Sequence, residues 1–179
     1  MSDEDRPADE KEIEAAKGKR LNPEEYERRM GIIVDAVRKS LRGERDEKQQ
    51  LIEDYGGKGG YGIEAAVIFG SYGRGVPREK SDLDILYICD QPGCEGWAEE
   101  LQKKVFSELG KKEVDLLPET NINAIDFSDP EGRKDLKKIL TAETYYAHLG
   151  GSGGYIVVSD DPKREDGVKV KIGDLLASS

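Results

Sequence analysis

Two aspartates, Asp82 and Asp84, head the apolar run that continues through Ile85, Leu86, Tyr87 and Ile88. In a strand, side chains two apart project from one face. The carboxylates therefore sit side by side while Leu83 and Ile85 enter the core. Two carboxylates ~4 Å apart repel by roughly 4 kcal/mol at a protein surface, so the pair calls for a cation. Mg²⁺ suits hard carboxylate oxygens and usually brings substrate phosphates with it. Upstream, Gly70-Ser71-Tyr72-Gly73-Arg74-Gly75 breaks a strand-like apolar run from Ile63 to Phe69. Glycines let a backbone turn sharply and approach a ligand, and the amides freed at such a turn can point at phosphate oxygens. Ser71 adds a hydroxyl and Arg74 a permanent positive charge. A nucleoside triphosphate is the natural companion of such a set. A third carboxylate, Asp115, lies in Val114-Asp115-Leu116-Leu117, which reads as another short strand. Next to the first two, it completes a set that can hold two metal ions and activate a hydroxyl.

The combined pattern, G-S-Y-G-R-G, a short spacer, S-D-L-D-I-L-Y-I and a later apolar-Asp-apolar element, resembles the nucleotidyltransferase superfamily that includes DNA polymerase β. It is most similar to the minimal nucleotidyltransferase branch, whose relatives include aminoglycoside nucleotidyltransferases and the antitoxin partners of HEPN toxins. The resemblance covers residues 63–147. It implies that Asp82 and Asp84 are shared metal ligands. Asp115 is then a ligand of the catalytic metal and the group nearest the incoming hydroxyl. Gly70 and Ser71 hold the triphosphate, with Arg74 as a phosphate or structural contact and Ser81 placed with them at the nucleotide. The implied cofactor is two Mg²⁺ ions, with Mn²⁺ as an alternative. The implied substrates are an NTP, ATP first, and an acceptor hydroxyl on a protein, a small molecule or an RNA end. Relatives often carry alanine where this chain has Gly73.

Composition narrows the rest. Of 179 residues, 37% are charged and the formal net charge is −10, which argues against extended nucleic acid as a partner because such binding relies on a basic surface. No apolar stretch is long enough for a membrane span. Cys89 and Cys94, with His148 the only histidine, make no zinc site; they read as reduced thiols of a cytoplasmic protein.

The elements that position the site follow in order. Residues 1–21 are mostly charged and read as a disordered acidic leader. Asn22-Pro23-Glu24-Glu25 then starts a helix, on which Tyr26, Met30, Ile33, Val34, Val37 and Leu41 draw one apolar stripe. That stripe is core packing or a seam for a partner. Residues 43–55 close this helix or form a second. Residues 56–62 are a glycine-rich connector or lid. They satisfy G-x-G-x-x-G but precede a strand, so the dinucleotide reading fails. Arg78 and Lys80 touch the triphosphate or balance local charge. Ala98, Leu101, Val105 and Leu109 mark a covering helix that ends at Gly110. Residues 121–127 are ambiguous. Ser128-Asp129-Pro130-Glu131 starts a further helix running to about Tyr146; there Tyr145 and Tyr146 pack or stack on a base. Finally 155–158 and 168–172 read as two strands of a hairpin.

The expected fold is α/β (α+β): a small mixed sheet flanked by helices, a polymerase β-like nucleotidyltransferase domain over 22–149 and a C-terminal extension over 150–179 with a β-hairpin. The expected activity is Mg²⁺-dependent transfer of a nucleoside monophosphate to a hydroxyl with release of pyrophosphate. The rivals are an antitoxin-like protein that binds a HEPN partner and an antibiotic nucleotidyltransferase of the aminoglycoside type.

Overall fold

Asn22 opens the first helix as its capping pattern predicts: its Oδ1 accepts from the Glu25 amide at 2.9 Å, satisfying a donor that the helix cannot. A computed structural model describes residues 16–55, 63–90, 92, 96, 98–110, 119–148 and 154–178. The helices are α1 (Pro23–Tyr55), α2 (Gly70–Arg74), α3 (Ala98–Gly110), α4 (Pro130–His148) and α5 (Pro162–Ala177). The strands are β1 (Ile63–Phe69), β2 (Leu83–Cys89), β3 (Thr120–Asp126) and β4 (Ile156–Val158). They form a mixed sheet in the order β3-β2-β1-β4. β1 is antiparallel to β2 and β4, and β3 runs parallel to β2.

Alternation along the strands divides the core in two. Leu83, Ile85 and Tyr87 face α1 and α3, where Met30, Ile33, Val37, Leu41, Leu101 and Val105 cover them. The α1 stripe is thus core packing, and residues 43–55 continue the same helix. The buried Tyr87 hydroxyl pairs with the Ser40 hydroxyl at 2.7 Å, which offsets the cost of burying a polar group. On the opposite face Leu86 and Ile88 meet Leu136 and Leu140 of α4 and Val168 and Ile172 of α5. Asp129 caps α4, accepting from the Glu131 amide at 3.1 Å.

The expected C-terminal hairpin does not form. Its first strand is β4, but 168–172 lie inside α5. The alternation Val168-Lys169-Val170-Lys171-Ile172 imitates a strand for five residues only. Over a longer span Val168, Ile172, Leu175 and Leu176 recur at helical spacing, after Asp161 as N-cap and Pro162 at the first turn. The Asp161 carboxylate accepts from the Lys163 amide at 2.9 Å. Val168 and Ile172 are buried, whereas Val170 is 63% exposed. Through β4 the supposed extension completes the same sheet as the nucleotidyltransferase-like core.

Residues 1–15 of the expected leader lie outside the described residues, but its end is not solvated chain. Leu21 N donates to Pro77 O at 2.9 Å, Glu79 N to Lys19 O at 2.9 Å and Lys80 N to Lys17 O at 2.8 Å. These bonds satisfy backbone groups of the loop before Ser81. Cys89 is disulfide-bonded, so the reduced-thiol expectation fails at this position; sequence gives no sulfur–sulfur distance, the quantity that decides pairing. Cys94 and the glycine connector at 56–62 lie outside the described residues. Among the described residues no helix is long and apolar enough to cross a membrane.

Candidate active site

β1 ends at Phe69 and the chain turns at once into α2. Gly70 carries φ +66°, a left-handed conformation that favours glycine. A second constraint acts there: a Cβ on Gly70 would overlap Oδ2 of Asp84. The turn and the carboxylate are therefore in direct contact only because residue 70 has no side chain. Gly73 is equally restricted, since a Cβ would come within 2.5 Å of the Ile68 carbonyl oxygen. The alanine common in relatives has no room here unless the backbone shifts. Gly75, at φ 79°, closes α2 with its amide donating to the Ser71 and Tyr72 carbonyls.

Helix α1 anchors this turn from behind. Tyr72 is fully buried; its hydroxyl accepts from Arg29 Nη1 at 3.1 Å, and its carbonyl accepts from the Tyr26 hydroxyl at 2.9 Å. Arg29 Nη1 also donates to the Glu79 carbonyl at 3.0 Å. One buried guanidinium thus ties α1 both to the glycine turn and to the loop that leads to Asp82.

Asp82 directly precedes β2 and Asp84 is its second residue. Asp84 lies opposite Phe69 of β1 and Asn121 of β3. The Asn121 side-chain amide donates to Asp84 Oδ1 at 3.0 Å. Burial pushes the Asp84 carboxyl above its usual range. The Asn121 hydrogen bond opposes that shift, the negative charges of Asp82 and Glu143 add to it, and Lys17 draws it back. A carboxylate so placed gains from a cation, and hard oxygen donors fit Mg²⁺. Among the described residues no three His, Cys, Asp or Glu side chains converge to hold a metal ion. Asp115 lies outside them.

Two residues that sequence reading passes over complete the picture. Asn121 falls in the stretch left ambiguous; parallel pairing of β3 with β2 puts it beside Asp84. Glu143 gives no local signal at all, being one more charge on a charged helix. Its Oε2 accepts from the Gly70 amide at 3.1 Å and from Arg74 Nη1 at 2.6 Å, with both side chains largely shielded from solvent. A carboxylate from α4 thus engages two donors that the sequence reading assigns to phosphate.

The other expected residues divide. Ser71 begins α2 beside Gly70 and is half-buried. Ser81 is buried, and its hydroxyl accepts from the Arg78 amide at 2.7 Å, so it braces the loop before Asp82. Arg78 Nη1 donates to the Gly18 carbonyl at 2.9 Å, a structural bond to the N-terminal segment. Tyr145 is 62% exposed on α4.

The glycine turn, the paired aspartates and the mixed sheet agree with a wider comparison. A family model described as a nucleotidyltransferase domain matches residues 48–144, more than half of the chain. No curated protein and no solved structure matches. With strand, glycine turn and Asp-x-Asp strand all inside the matched segment, the chain belongs to the nucleotidyltransferase domain family.

Proposed function

We propose that the protein transfers a nucleoside monophosphate from an NTP, ATP first, to an acceptor hydroxyl with release of pyrophosphate. The observation that carries this reading is the contact between the two halves of the motif: Gly70, free of a side chain, abuts the Asp84 carboxylate. Phosphates received at the turn therefore lie next to the aspartates.

Asp82 and Asp84 are the residues to hold Mg²⁺, joined by Asp115 as the resemblance implies. A Mg²⁺ ion held by these carboxylates would supply neutralisation of charge on the α-phosphate and a lower pKa for the acceptor hydroxyl. The Ser71 hydroxyl and the α2 amides orient the β- and γ-phosphates, and Arg74 adds a fixed positive charge. Glu143 holds the Gly70 amide and Arg74 in place before the nucleotide arrives. The acceptor oxygen forms a bond to the α-phosphorus and its proton passes to a carboxylate. The bond from the α-phosphorus to the bridging oxygen breaks, and pyrophosphate leaves with that electron pair. Fixed donors and carboxylates need no reorganisation at the moment of reaction, which is where such sites gain their rate.

The test is incubation with Mg²⁺ and each α-labelled NTP, alone and with cell lysate, beside an Asp82→Ala/Asp84→Ala control. Label on a protein, RNA or small molecule that depends on the two acids is the expected result. Absence of transfer, together with absence of Mg²⁺-dependent NTP binding by calorimetry, overturns the reading in favour of a partner-binding protein.

A further inference from the structure

A groove of about 520 Å³ opens between α4 and the β2–β3 part of the sheet. This volume lies within the range of ligand pockets, roughly 300–1,000 Å³. Phe69, Leu86 and Ile125 line it from the sheet, and Ile139 from α4. Its polar groups are few: the Asn123 amide, Asp135 and Lys138. The groove borders the aspartates on two sides. Phe69 is the β1 partner of Asp84, and Leu86 follows Asp84 by two residues on the same face of β2. On β3, Asn123 likewise follows Asn121, the residue bonded to Asp84. Two residues of strand span about 7 Å, the reach of a ribose.

The direction is also defined. In the order β3-β2-β1, the glycine turn lies at the end of β1, the aspartates at the start of β2 and the groove beyond them towards β3. A nucleotide with its terminal phosphates at Gly70 and its α-phosphate at Asp84 extends its nucleoside that way. The lining suits a flat heteroaromatic ring better than a phosphate. Apolar walls with an aromatic side chain bury ring faces. A carboxamide offers both a donor and an acceptor to a ring edge, and the opposite charges of Asp135 and Lys138 leave the groove with no net attraction for an anion.

We propose that this groove holds the nucleobase of the donor nucleotide, with Asn123 as the residue that sets base preference. The assignment rests on the nucleotidyltransferase reading above and adds to it the place where the base is read. Ala142 lines the groove from an exposed position on α4, so Ala142→Trp fills it with little demand on the core.

The test measures Mg²⁺-dependent binding of ATP, GTP, CTP, UTP and inorganic tripolyphosphate to the full chain by calorimetry. It compares wild type, Ala142→Trp and the exposed-site variant Asn123→Leu. Wild type is expected to bind at least one NTP about 10-fold or more tightly than tripolyphosphate. In Ala142→Trp that margin disappears while tripolyphosphate affinity stays. In Asn123→Leu the differences among the four NTPs shrink. If NTPs bind and neither variant changes their ranking or their margin over tripolyphosphate, the base lies elsewhere and the donor reading survives. If wild type binds no NTP, the donor reading fails and takes the base site with it.

Discussion

The two faces of one strand differ in what their neighbours ask of them. On one face of β2, Leu83, Ile85 and Tyr87 are fully buried beneath α1 and α3. The opposite face begins with Asp84, continues with Leu86 and Ile88, and is covered by α4 and α5. The first face supplies the apolar burial that sustains the fold. The second leaves a carboxylate, an amide and a groove open at one end. Chemistry therefore stands at the margin of the less complete layer, supported from behind by the more complete one. The Arg29–Tyr72 bond, made on the packed side, ties α1 to the glycine turn.

The sharpest way to break this contrast is at Asp84. Asp84→Asn is expected to lower nucleotidyl transfer by on the order of 10³-fold or more, measured with labelled NTP, while the protein stays folded. Stability should move the other way with pH. A carboxyl raised in the fold holds its proton to higher pH than in the unfolded chain, so wild type loses stability as pH rises through that window. The metal-free Asn variant should therefore unfold at higher urea than wild type at neutral pH, and the two should converge below the ordinary carboxylate range. Equal urea midpoints throughout would deny that burial strains Asp84.

Leu101→Ala, on the packed face, is the converse. It should cost about 2–5 kcal/mol by denaturant titration and leave the turnover of folded molecules unchanged. A smaller effect is expected at Glu143→Gln. Weakening its hold on Arg74 and the Gly70 amide should lower kcat/KM about 10-fold, through KM for the NTP, with the unfolding midpoint nearly constant. If kinetics are unaffected, Glu143 only fastens α4 to α2. The smallest effect tests the corrected element: Val170→Ala should raise stability by about 0.5 kcal/mol on an exposed helix position, whereas a strand would lose stability from the same change.

Local physics made much of this legible. Asn22 and Asp129 were recognisable as caps because a helix start is governed by a few neighbouring residues. The α1 stripe was legible as an amphipathic face because its period exceeds any chance alternation. The same reasoning failed at 168–172, where five alternating residues were too short to separate the two periods and the decisive cap lies seven residues upstream at Asp161. At Gly73 the sequence shows only a glycine in a turn, and the Ile68 carbonyl that leaves a Cβ no room is brought there by the fold.

The chain on its own determined the Asp-x-Asp spacing, the glycine turn before it and therefore the class of chemistry, since these depend on side chains one to a few positions apart. Only the tertiary structure decided that Asn121 stands beside Asp84, that Glu143 reaches the Gly70 amide, and that a groove opens between α4 and β3. These depend on strand register and on where a helix crosses a sheet. Both are set by burial summed over residues distant in sequence, which leaves no signature at the residues themselves.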